Sequence, residues 1–416
     1  MTVILDRPYE FVSPVRTPWW PTAIQTFRLV DWHLRRRESV LDYELRGEQK
    51  FSESLAAGHG ILLAPNHCRY ADPIVLGWLA RRVRTHLYAM ASWHLFNSSA
   101  FETFALRRMG GFSIYREGND RQSLEMAMEI LAGAERPLVL FPEGTTNRTN
   151  DVLKPLLEGV SFVARMAAKK RVRDSGGRVV MHPVGIKYLC LEDPRPWVHE
   201  QLVRLEEALC FRPSSGPSSA EEMLNRLRRV AEGFLSLKEI EFAGTSAAGD
   251  LATRRDRLTH ELLQQCEQKY ALVVSETDGF RDRVRKIRGA IASNHFALPP
   301  EQRDGEAARR DADKADLAQF LLSFPDQYMQ PDRMTETQVV ETVQRIQEMV
   351  YGKAQDTMPL KVVIQVDDAI PVPAEKIPRG EKTLRGEGDP LLCQLEQRLR
   401  TMLESLAGES PRFAGG

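Results

Sequence analysis

The chain has 416 residues, and its 57 Lys and Arg balance 57 Asp and Glu, so the formal net charge at pH 7 is zero. A neutral balance provides no long-range field for nucleic acid, and we predict no nucleic-acid partner. The five cysteines show neither metal-ligand spacing nor an even disulfide framework, which favours reduced thiols and no metal site. We find no N-terminal signal pattern and no apolar run of about 18 residues, so we expect any membrane contact to be made from the surface.

The N-terminal stretch 1–21 is rich in proline and aromatic residues, which predicts an irregular arm. Residues 22–40 have apolar side chains at helical spacing and predict one helix. Tryptophans and an arginine cluster suit a helix lying at a bilayer surface, whereas a helix packed on the core with a solvated basic face explains the same pattern. Both interpretations stay open for Trp19, Trp20, Trp32, Arg35, Arg36 and Arg37.

The stretch 60–73 predicts a strand, a loop and a helix, with His67 in the loop. Asp72 and Pro73 suit a helix start, with the carboxylate as N-cap and proline at the first helical position. We therefore expect the imidazole to fold back onto the carboxylate, which would fix its tautomer and let it deprotonate a hydroxyl. Taken alone, the spacing is also compatible with a capping aspartate and an ordinary loop histidine.

The stretch 60–73 is the first of four motifs, and three more follow in order. The second motif, at 111–116, predicts a short strand that delivers Arg116, whose planar fork can grip a phosphate. The third motif, at 141–145, ends a strand with Glu143 and Gly144, and glycine allows close backbone approach to a ligand. The fourth motif is a buried strand at 182–186. A surface arginine and a purely structural Glu143 are the alternatives.

Together the four motifs, over roughly residues 40–195, resemble those of the phospholipid/glycerol acyltransferase family, which includes the 1-acylglycerol-3-phosphate acyltransferases. The resemblance implies that His67 is the general base and Asp72 its partner. It implies that Arg116 binds the phosphate of the acceptor. The same resemblance assigns the acceptor site to Glu143, Gly144 and Thr145.

Two departures from the family pattern bear on the acceptor. Many members carry arginine directly after the threonine, but here Thr146 takes that place and Arg148 stands three positions past Thr145. A different loop path would bring Arg148 to the same phosphate, and we include it among the predicted substrate-binding residues; a different acceptor is the alternative. Cys68 replaces the common serine, but its side chain should point away from that of His67, which argues against a thiol nucleophile.

The remaining core elements are predicted as helices at 73–83, 120–134 and 151–170 and strands at 86–90, 137–141 and 179–186. From 198 to about 350 the chain is charged and mostly helical in period, with a loose element expected at 304–316 and a basic run at 281–288. A strand at 360–366 and a helix at 389–406 follow.

We predict an α/β fold of the glycerolipid-acyltransferase type: a mixed sheet flanked by helices, with a large helical insertion. The expected division is an N-terminal arm and interfacial helix at 1–40, the acyltransferase core at 41–195, the insertion at 196–357, and the returning strand and closing helix at 358–416.

The expected function is acyl transfer, in phospholipid biosynthesis, from acyl-CoA or acyl carrier protein to a lysophospholipid acceptor such as 1-acylglycerol-3-phosphate. The acceptor hydroxyl would attack the thioester directly, without a bound cofactor, in a cytoplasmic enzyme held at the inner face of the membrane. Another lipid hydroxyl as acceptor, or a catalytically silent lipid-binding protein, are the alternatives. A hydrolase is disfavoured because Gly-x-Ser-x-Gly is absent.

Overall fold

A computed structural model describes residues 3–118, 120–146, 148–213, 216, 218–275, 278–325, 328, 333–355, 357–374 and 389–414. Within these residues the chain forms an eight-stranded mixed sheet with helices on both faces. This confirms the predicted fold class.

The strands are β1 (Val40–Arg46), β2 (Gly60–Pro65), β3 (Tyr88–Ser92), β4 (Gly111–Ile114), β5 (Leu138–Val139), β6 (Val179–Cys190), β7 (Leu360–Val366) and β8 (Ile370–Pro371). The helices of the N-terminal half are α1 (Trp19–Thr26), α2 (Leu29–Arg37), α3 (Glu48–Ala56), α4 (Asp72–Arg82), α5 (Ala100–Arg108), α6 (Arg121–Gly133) and α7 (Glu158–Ser175). Those of the C-terminal half are α8 (Arg195–Ala208), α9 (Ala220–Ala243), α10 (Leu251–Lys269), α11 (Phe280–Ala297), α12 (Gly305–Leu322), α13 (Glu336–Tyr351) and α14 (Pro390–Ala407).

The strand order is β1-β7-β6-β2-β5-β3-β4, and β8 also pairs with β6. All neighbouring pairs are parallel except β6 with β7 and β6 with β8, which are antiparallel. Because β2, β5 and β6 run parallel, their carboxyl ends share one edge of the sheet. The loops that follow β2 and β5, which carry the first and third motifs, therefore lie next to each other.

The central strand β2 is buried on both faces, as its continuous apolar run requires. Ile61 and Leu63 pack in one core with residues of α4, α8, α9 and α13. Leu62 and Ala64 face the opposite core, formed with α6, α7 and α14. The helices that follow residue 195 therefore share both cores with the sheet.

Helices α10, α11 and α12 form most of a third core, which also includes Leu235 of α9 and receives Val3 and Leu5 from the N-terminal arm. The loose element expected at 304–316 is wrong, because this stretch lies in α12. Ala308, Ala312 and Ala315 are buried there. Small alanines at helical spacing let this charged helix pack closely against its neighbours.

Two predicted helices have different bounds. The single helix at 22–40 is split into α1 and α2 by Arg28, whose φ of 52° is left-handed, and α1 begins earlier, at Trp19. The helix expected from Asp151 begins only at Glu158. Pro155 explains the delay, since the residue before a proline is pushed out of the helical region.

Strand β7 lies inside the sheet, between β1 and β6. Helix α14 packs on the same face as α7, through Leu395 and Leu399. The chain boundaries at 40, 195 and 357 stay predictions. None of the helices in the described ranges is both long and apolar enough to cross a membrane.

Candidate active site

The first motif loop is fixed to the sheet by Asn66. Its side-chain amide donates to the carbonyl of Ile186 on β6 at 3.0 Å, and its side-chain oxygen accepts the Ile186 N–H at 2.7 Å. These two hydrogen bonds continue the pairing between β2 and β6 just after β2 ends. It places His67 at the carboxyl edge of the sheet.

His67 and Asp72 are in contact, with Nδ1 of His67 2.9 Å from Oδ2 of Asp72. The predicted role of Asp72 as N-cap is wrong: Ala71 holds that position, Asp72 is already in the first turn of α4, and Pro73 follows it. The Asp72 carboxylate turns back into the loop and accepts the Arg69 N–H at 2.9 Å. With Nδ1 facing a carboxylate, the imidazole proton is assigned to Nδ1 and Nε2 is an acceptor.

Asp72 is fully buried, and both of its oxygens have donors. The Tyr188 hydroxyl donates to Oδ1 at 2.8 Å, and the Cys68 thiol lies 3.7 Å from the same oxygen. Burial, followed by the charge of Asp72, raises the pKa of both Tyr188 and Cys68 well above their usual values. Tyr188 thus helps to hold the carboxylate, and the protonated, buried Cys68 is unsuited to nucleophilic attack.

The other ring nitrogen of His67 faces a hydroxyl of the protein itself. Nε2 lies 2.9 Å from Oγ1 of Thr146, which directly follows the third motif. The imidazole also stacks on Phe141 at a centroid distance of 4.0 Å, so its plane is fixed. Sequence reasoning noticed Thr146 as a departure from the family pattern but assigned it no role.

The buried side chain of Glu143, in the third motif, is hydrogen-bonded to the loop of the first motif. Its Oε1 accepts the His67 N–H at 2.7 Å, and its Oε2 accepts the Lys154 N–H at 2.8 Å. The side chain is 1% exposed, and burial raises the pKa of Glu143 to about 8. These contacts favour the alternative in which Glu143 orders the loop; a contact with the acceptor stays a prediction.

Gly144 adopts a φ of +70°, a left-handed conformation that favours glycine, and a side chain there would displace the end of the Leu157 side chain. Its carbonyl accepts a hydrogen bond from Nη1 of Arg116 at 3.0 Å. The structure therefore brings Arg116 to the third motif, as the predicted acceptor site requires. Burial lowers the pKa of Arg116 to about 10.

Thr145 and Arg148 are engaged by the helices that follow the core. The Thr145 hydroxyl accepts from the Gln319 amide at 3.2 Å. Arg148 is buried and ion-paired with Glu348 of α13 at 2.6 Å, and it stacks over Tyr70. Because its guanidinium already has a carboxylate partner, the geometry does not support Arg148 as a phosphate ligand.

A narrow cleft beside Arg116 is lined by two arginines and a histidine. Arg288 of α11, which belongs to the basic run at 281–288, is one of these arginines. His94 lines the cleft too, and burial together with the charge of Arg116 lowers its pKa to about 3. Arg281 of the same helix donates to the carbonyls of Glu143 at 3.1 Å and Pro155 at 2.7 Å. In the sequence, the positive charge of residues 281–288 is the one feature that points to these contacts.

Residues 44–187 match the family model described as Acyltransferase. This part of the chain is an acyltransferase domain of the glycerolipid acyltransferase family. All four sequence motifs and the His67–Asp72 contact lie within it. No curated protein matches the chain significantly.

The domain is therefore that of an enzyme that transfers acyl groups. Chemically, an oriented imidazole whose Nε2 accepts a hydroxyl proton can activate that hydroxyl for attack on a carbonyl. An arginine at the neighbouring loop supplies positive charge beside the same edge of the sheet.

Proposed function

We propose that this protein transfers an acyl chain from an acyl thioester to the hydroxyl of a phosphate-bearing glycerolipid such as 1-acylglycerol-3-phosphate. The observation that carries the proposal is the His67–Asp72 pair at 2.9 Å within an acyltransferase domain. His67 accepts the proton of the attacking hydroxyl at Nε2, and buried Asp72 stabilises the imidazolium that forms. The thioester is presented by coenzyme A or acyl carrier protein.

Arg116 supports a phosphate on the acceptor. It lies at the third motif and, within the described residues, forms no ion pair with a carboxylate, so its charge is available to an anion. Arginine is suited to this role because its fork binds phosphate with two parallel hydrogen bonds. Gly144, Thr145 and Glu143 shape the loop against which the acceptor binds. No resident metal or cofactor has a part in the proposal.

The test is acyl transfer from labelled palmitoyl-CoA to 1-acylglycerol-3-phosphate by purified protein. We expect His67→Ala to lower kcat by about 10²–10⁴-fold, the usual contribution of a general base. Asp72→Asn should be milder, because the imidazole keeps a hydrogen-bond partner but loses its orienting charge. His59→Ala is the matched control, since His59 precedes the opposite end of the same strand.

Near wild-type turnover by a folded His67→Ala protein would overturn the mechanism. A wild-type protein that binds lipid but transfers no label to any lysolipid would favour a silent lipid-binding protein. Equal transfer to monoacylglycerol and to 1-acylglycerol-3-phosphate would favour the alternative of a different lipid acceptor.

A further inference from the structure

Helix α11 packs directly against the second motif. A Cβ at Gly289, in the interior of α11, would lie 2.4 Å from the backbone carbonyl oxygen of Glu117, so the helix comes this close only because residue 289 is glycine. Glycine is unfavourable in the interior of a helix, and the close approach is what it provides here. Glu117 directly follows Arg116, and Arg288 directly precedes Gly289. The contact therefore brings the two arginines to the same place.

Arg116 and Arg288 line one cleft, and each is within reach of the other's charge. Burial lowers the pKa of Arg116, and the charge of Arg288 acts in the same direction. Burial also lowers the pKa of His94, followed by the charges of both arginines. Glu117, a carboxylate in the lining, offsets part of this repulsion. An anion bound between the two guanidinium groups would relieve the rest.

The guanidinium of Arg288 is held by α12 but keeps free donors. Nη1 donates to Oε1 of Gln319 at 2.9 Å, and Nη2 pairs with Asp316. The Nε–H is buried and has no hydrogen-bond partner among the described residues. Arg148 differs, because its Nε and Nη2 both contact Glu348, at 2.7 Å and 2.6 Å. A guanidinium has five N–H donors, and a buried one without a partner is the exception that a ligand would remove.

We propose that Arg288 is a second phosphate-binding residue of the acceptor site, which it forms together with Arg116. A phosphomonoester has three oxygens and nearly two negative charges at neutral pH, enough for two guanidinium groups. The inference rests on the acyl-transfer function proposed above and deepens it, because it specifies an acceptor that ends in an unsubstituted phosphate. Arg288 lies outside residues 44–187, which match the family.

Both arginines are joined to the third motif. Arg116 donates to the Gly144 carbonyl at 3.0 Å, and Gln319, which holds Arg288, donates to the Thr145 hydroxyl at 3.2 Å. The next residue contacts Nε2 of His67. In 1-acylglycerol-3-phosphate the free hydroxyl is on the carbon next to the one that carries the phosphate. A phosphate site joined to the same loop as the base suits such an acceptor.

The cleft has to open to admit a phosphate. Its enclosed volume is about 20 Å³, which is room for one water molecule. Val3 and Ile4 of the N-terminal arm form part of the wall. Val3 and Leu5 are buried in the third core, whereas Ile4 is partly exposed and lies outside that core. Ile4 is therefore the part of the wall that can turn aside.

Steady-state kinetics of the full chain test the assignment, with palmitoyl-CoA and 1-acylglycerol-3-phosphate as substrates and glycerol 3-phosphate as a competing headgroup. We expect Arg288→Met to raise the KM for 1-acylglycerol-3-phosphate and the inhibition constant of glycerol 3-phosphate by roughly tenfold or more, the loss of one charge-assisted hydrogen bond. The KM for palmitoyl-CoA should not change. Arg288→Lys can still pair with Asp316, and it should raise the same two constants by less.

Three further variants change the cleft without removing a charge. Gly289→Ala should raise the two acceptor constants, because the new methyl group moves α11 away from the Glu117 carbonyl. Gly133→Ala is the matched control, since Gly133 is also helical and no described atom lies within 4 Å of a Cβ there. It should keep wild-type constants. Ile4→Ala should lower the KM for the acceptor, because the smaller side chain leaves more room.

Unchanged acceptor constants in a folded Arg288→Met protein, or a lower kcat with unchanged constants, would overturn the inference and leave the proposed function standing. A rise in the KM for palmitoyl-CoA as large as that for the acceptor would overturn it too, since the cleft would then hold a phosphate of coenzyme A. If Arg288→Met does not fold, Arg288→Lys and Gly289→Ala decide by the same criteria. A wild type that transfers no label to any lysolipid would overturn the proposed function itself.

Discussion

Arg116 and Arg148 are the same residue type near the same loop, yet their surroundings differ. Arg148 is buried and paired with Glu348, and the side chains of this pair are 9% and 20% exposed. Arg116 donates to the Gly144 carbonyl and lines a cleft. A desolvated ion pair is costly to break from one side, because the remaining charge stays buried. We therefore expect Arg116 to bind the acceptor and Arg148 to stabilise the fold.

Matched substitutions should separate the two roles. We expect Arg148→Met to lower the free energy of unfolding by about 3 kcal/mol, with little change in the KM for the acceptor. Arg116→Met should raise that KM, with a smaller effect on unfolding and none on the KM for acyl-CoA. Chemical denaturation and steady-state kinetics of both variants provide the comparison. A change in the acyl-CoA KM alone would move Arg116 to the donor site.

Glu143 should make stability depend on pH. Burial raises its pKa from 4.5 to about 8, so in the folded state it keeps its proton at pH values where the unfolded chain has lost it. The folded state then binds more protons, and the stability contributed by this group falls as pH rises from 4.5 towards 8. Glu143→Gln removes this dependence.

We therefore expect the stability gap between wild type and Glu143→Gln to narrow as pH rises through this window. The variant itself should be less stable at low pH, because its amide nitrogen cannot accept the N–H that one carboxyl oxygen accepts. Thermal unfolding of both proteins between pH 5 and about 8.5 measures the gap. A gap that stays constant or widens would contradict the raised pKa.

How far residues could be predicted from the sequence depended on the range of their contacts. The contact of His67 with Asp72 spans five positions across one turn, and the motif order indicated it. The partner of Arg148 lies 200 positions away, and no local pattern could identify it. Thr146 lay between these cases: its place after the third motif was visible, but its contact with Nε2 depends on the loop path.

At the scale of elements, strands and helices with a strong apolar period were predicted well, whereas those without such a period were missed. Strand β7 and helix α14 were recognised from a β-branched run and an apolar period. Strand β1 was missed because its sequence alternates poorly and only Val40 is buried, as suits an edge strand. Helix α5 has no buried residue, which leaves it without an apolar face to detect.

Helix α11 also joins the C-terminal helices to the loop that carries the third motif. Arg281 donates hydrogen bonds to the backbone carbonyls of Glu143 and of Pro155, which precedes α7. Burial lowers the pKa of Arg281. Arg285 on the same helix is half exposed and pairs with Asp282 at 3.6 Å. The two arginines thus offer a matched comparison of a loop contact with a surface charge.

We expect Arg281→Met to lower kcat by roughly tenfold, about 1.4 kcal/mol in the barrier, because the loop that carries the third motif loses two hydrogen bonds. Arg285→Met should leave kcat unchanged. Initial rates at saturating substrates, with thermal unfolding as a check on folding, measure the effect. Equal rates for both variants would show that α11 does not tune the loop.

At the scale of the whole molecule, zero net charge means that any attraction to an anionic membrane must be local. The N-terminal helices α1 and α2 are the predicted site of such an attraction. Trp19, Phe27 and Trp32 are 56%, 74% and 59% exposed. Trp20 packs against Phe104 of α5, whose neighbour Phe101 is 77% exposed. The break at Arg28 was not foreseen, but it leaves aromatic residues exposed on both α1 and α2.

The basic end of α2 supplies the charge. Arg35, Arg36 and Arg37 are exposed, and none of them forms an ion pair in the described part of the chain. A basic residue near an anionic surface contributes about 1 kcal/mol, and salt screens it. Exposed tryptophans would add burial of their rings at the interface. We therefore predict peripheral, salt-sensitive attachment through α1 and α2.

Reversal of Arg35, Arg36 and Arg37 to glutamate should reduce binding to anionic vesicles most strongly at low salt, while transfer to a short-chain soluble acceptor is kept. The control reverses Lys169, Arg173 and Arg178, which lie by the amino end of β6, away from the edge that carries His67. Co-sedimentation across a salt series measures binding. A surface whose three positive charges are replaced by negative ones cannot keep an electrostatic attachment. If the α2 variant nevertheless binds as tightly as wild type at every salt concentration, α2 is a packing element and does not attach the protein to the membrane.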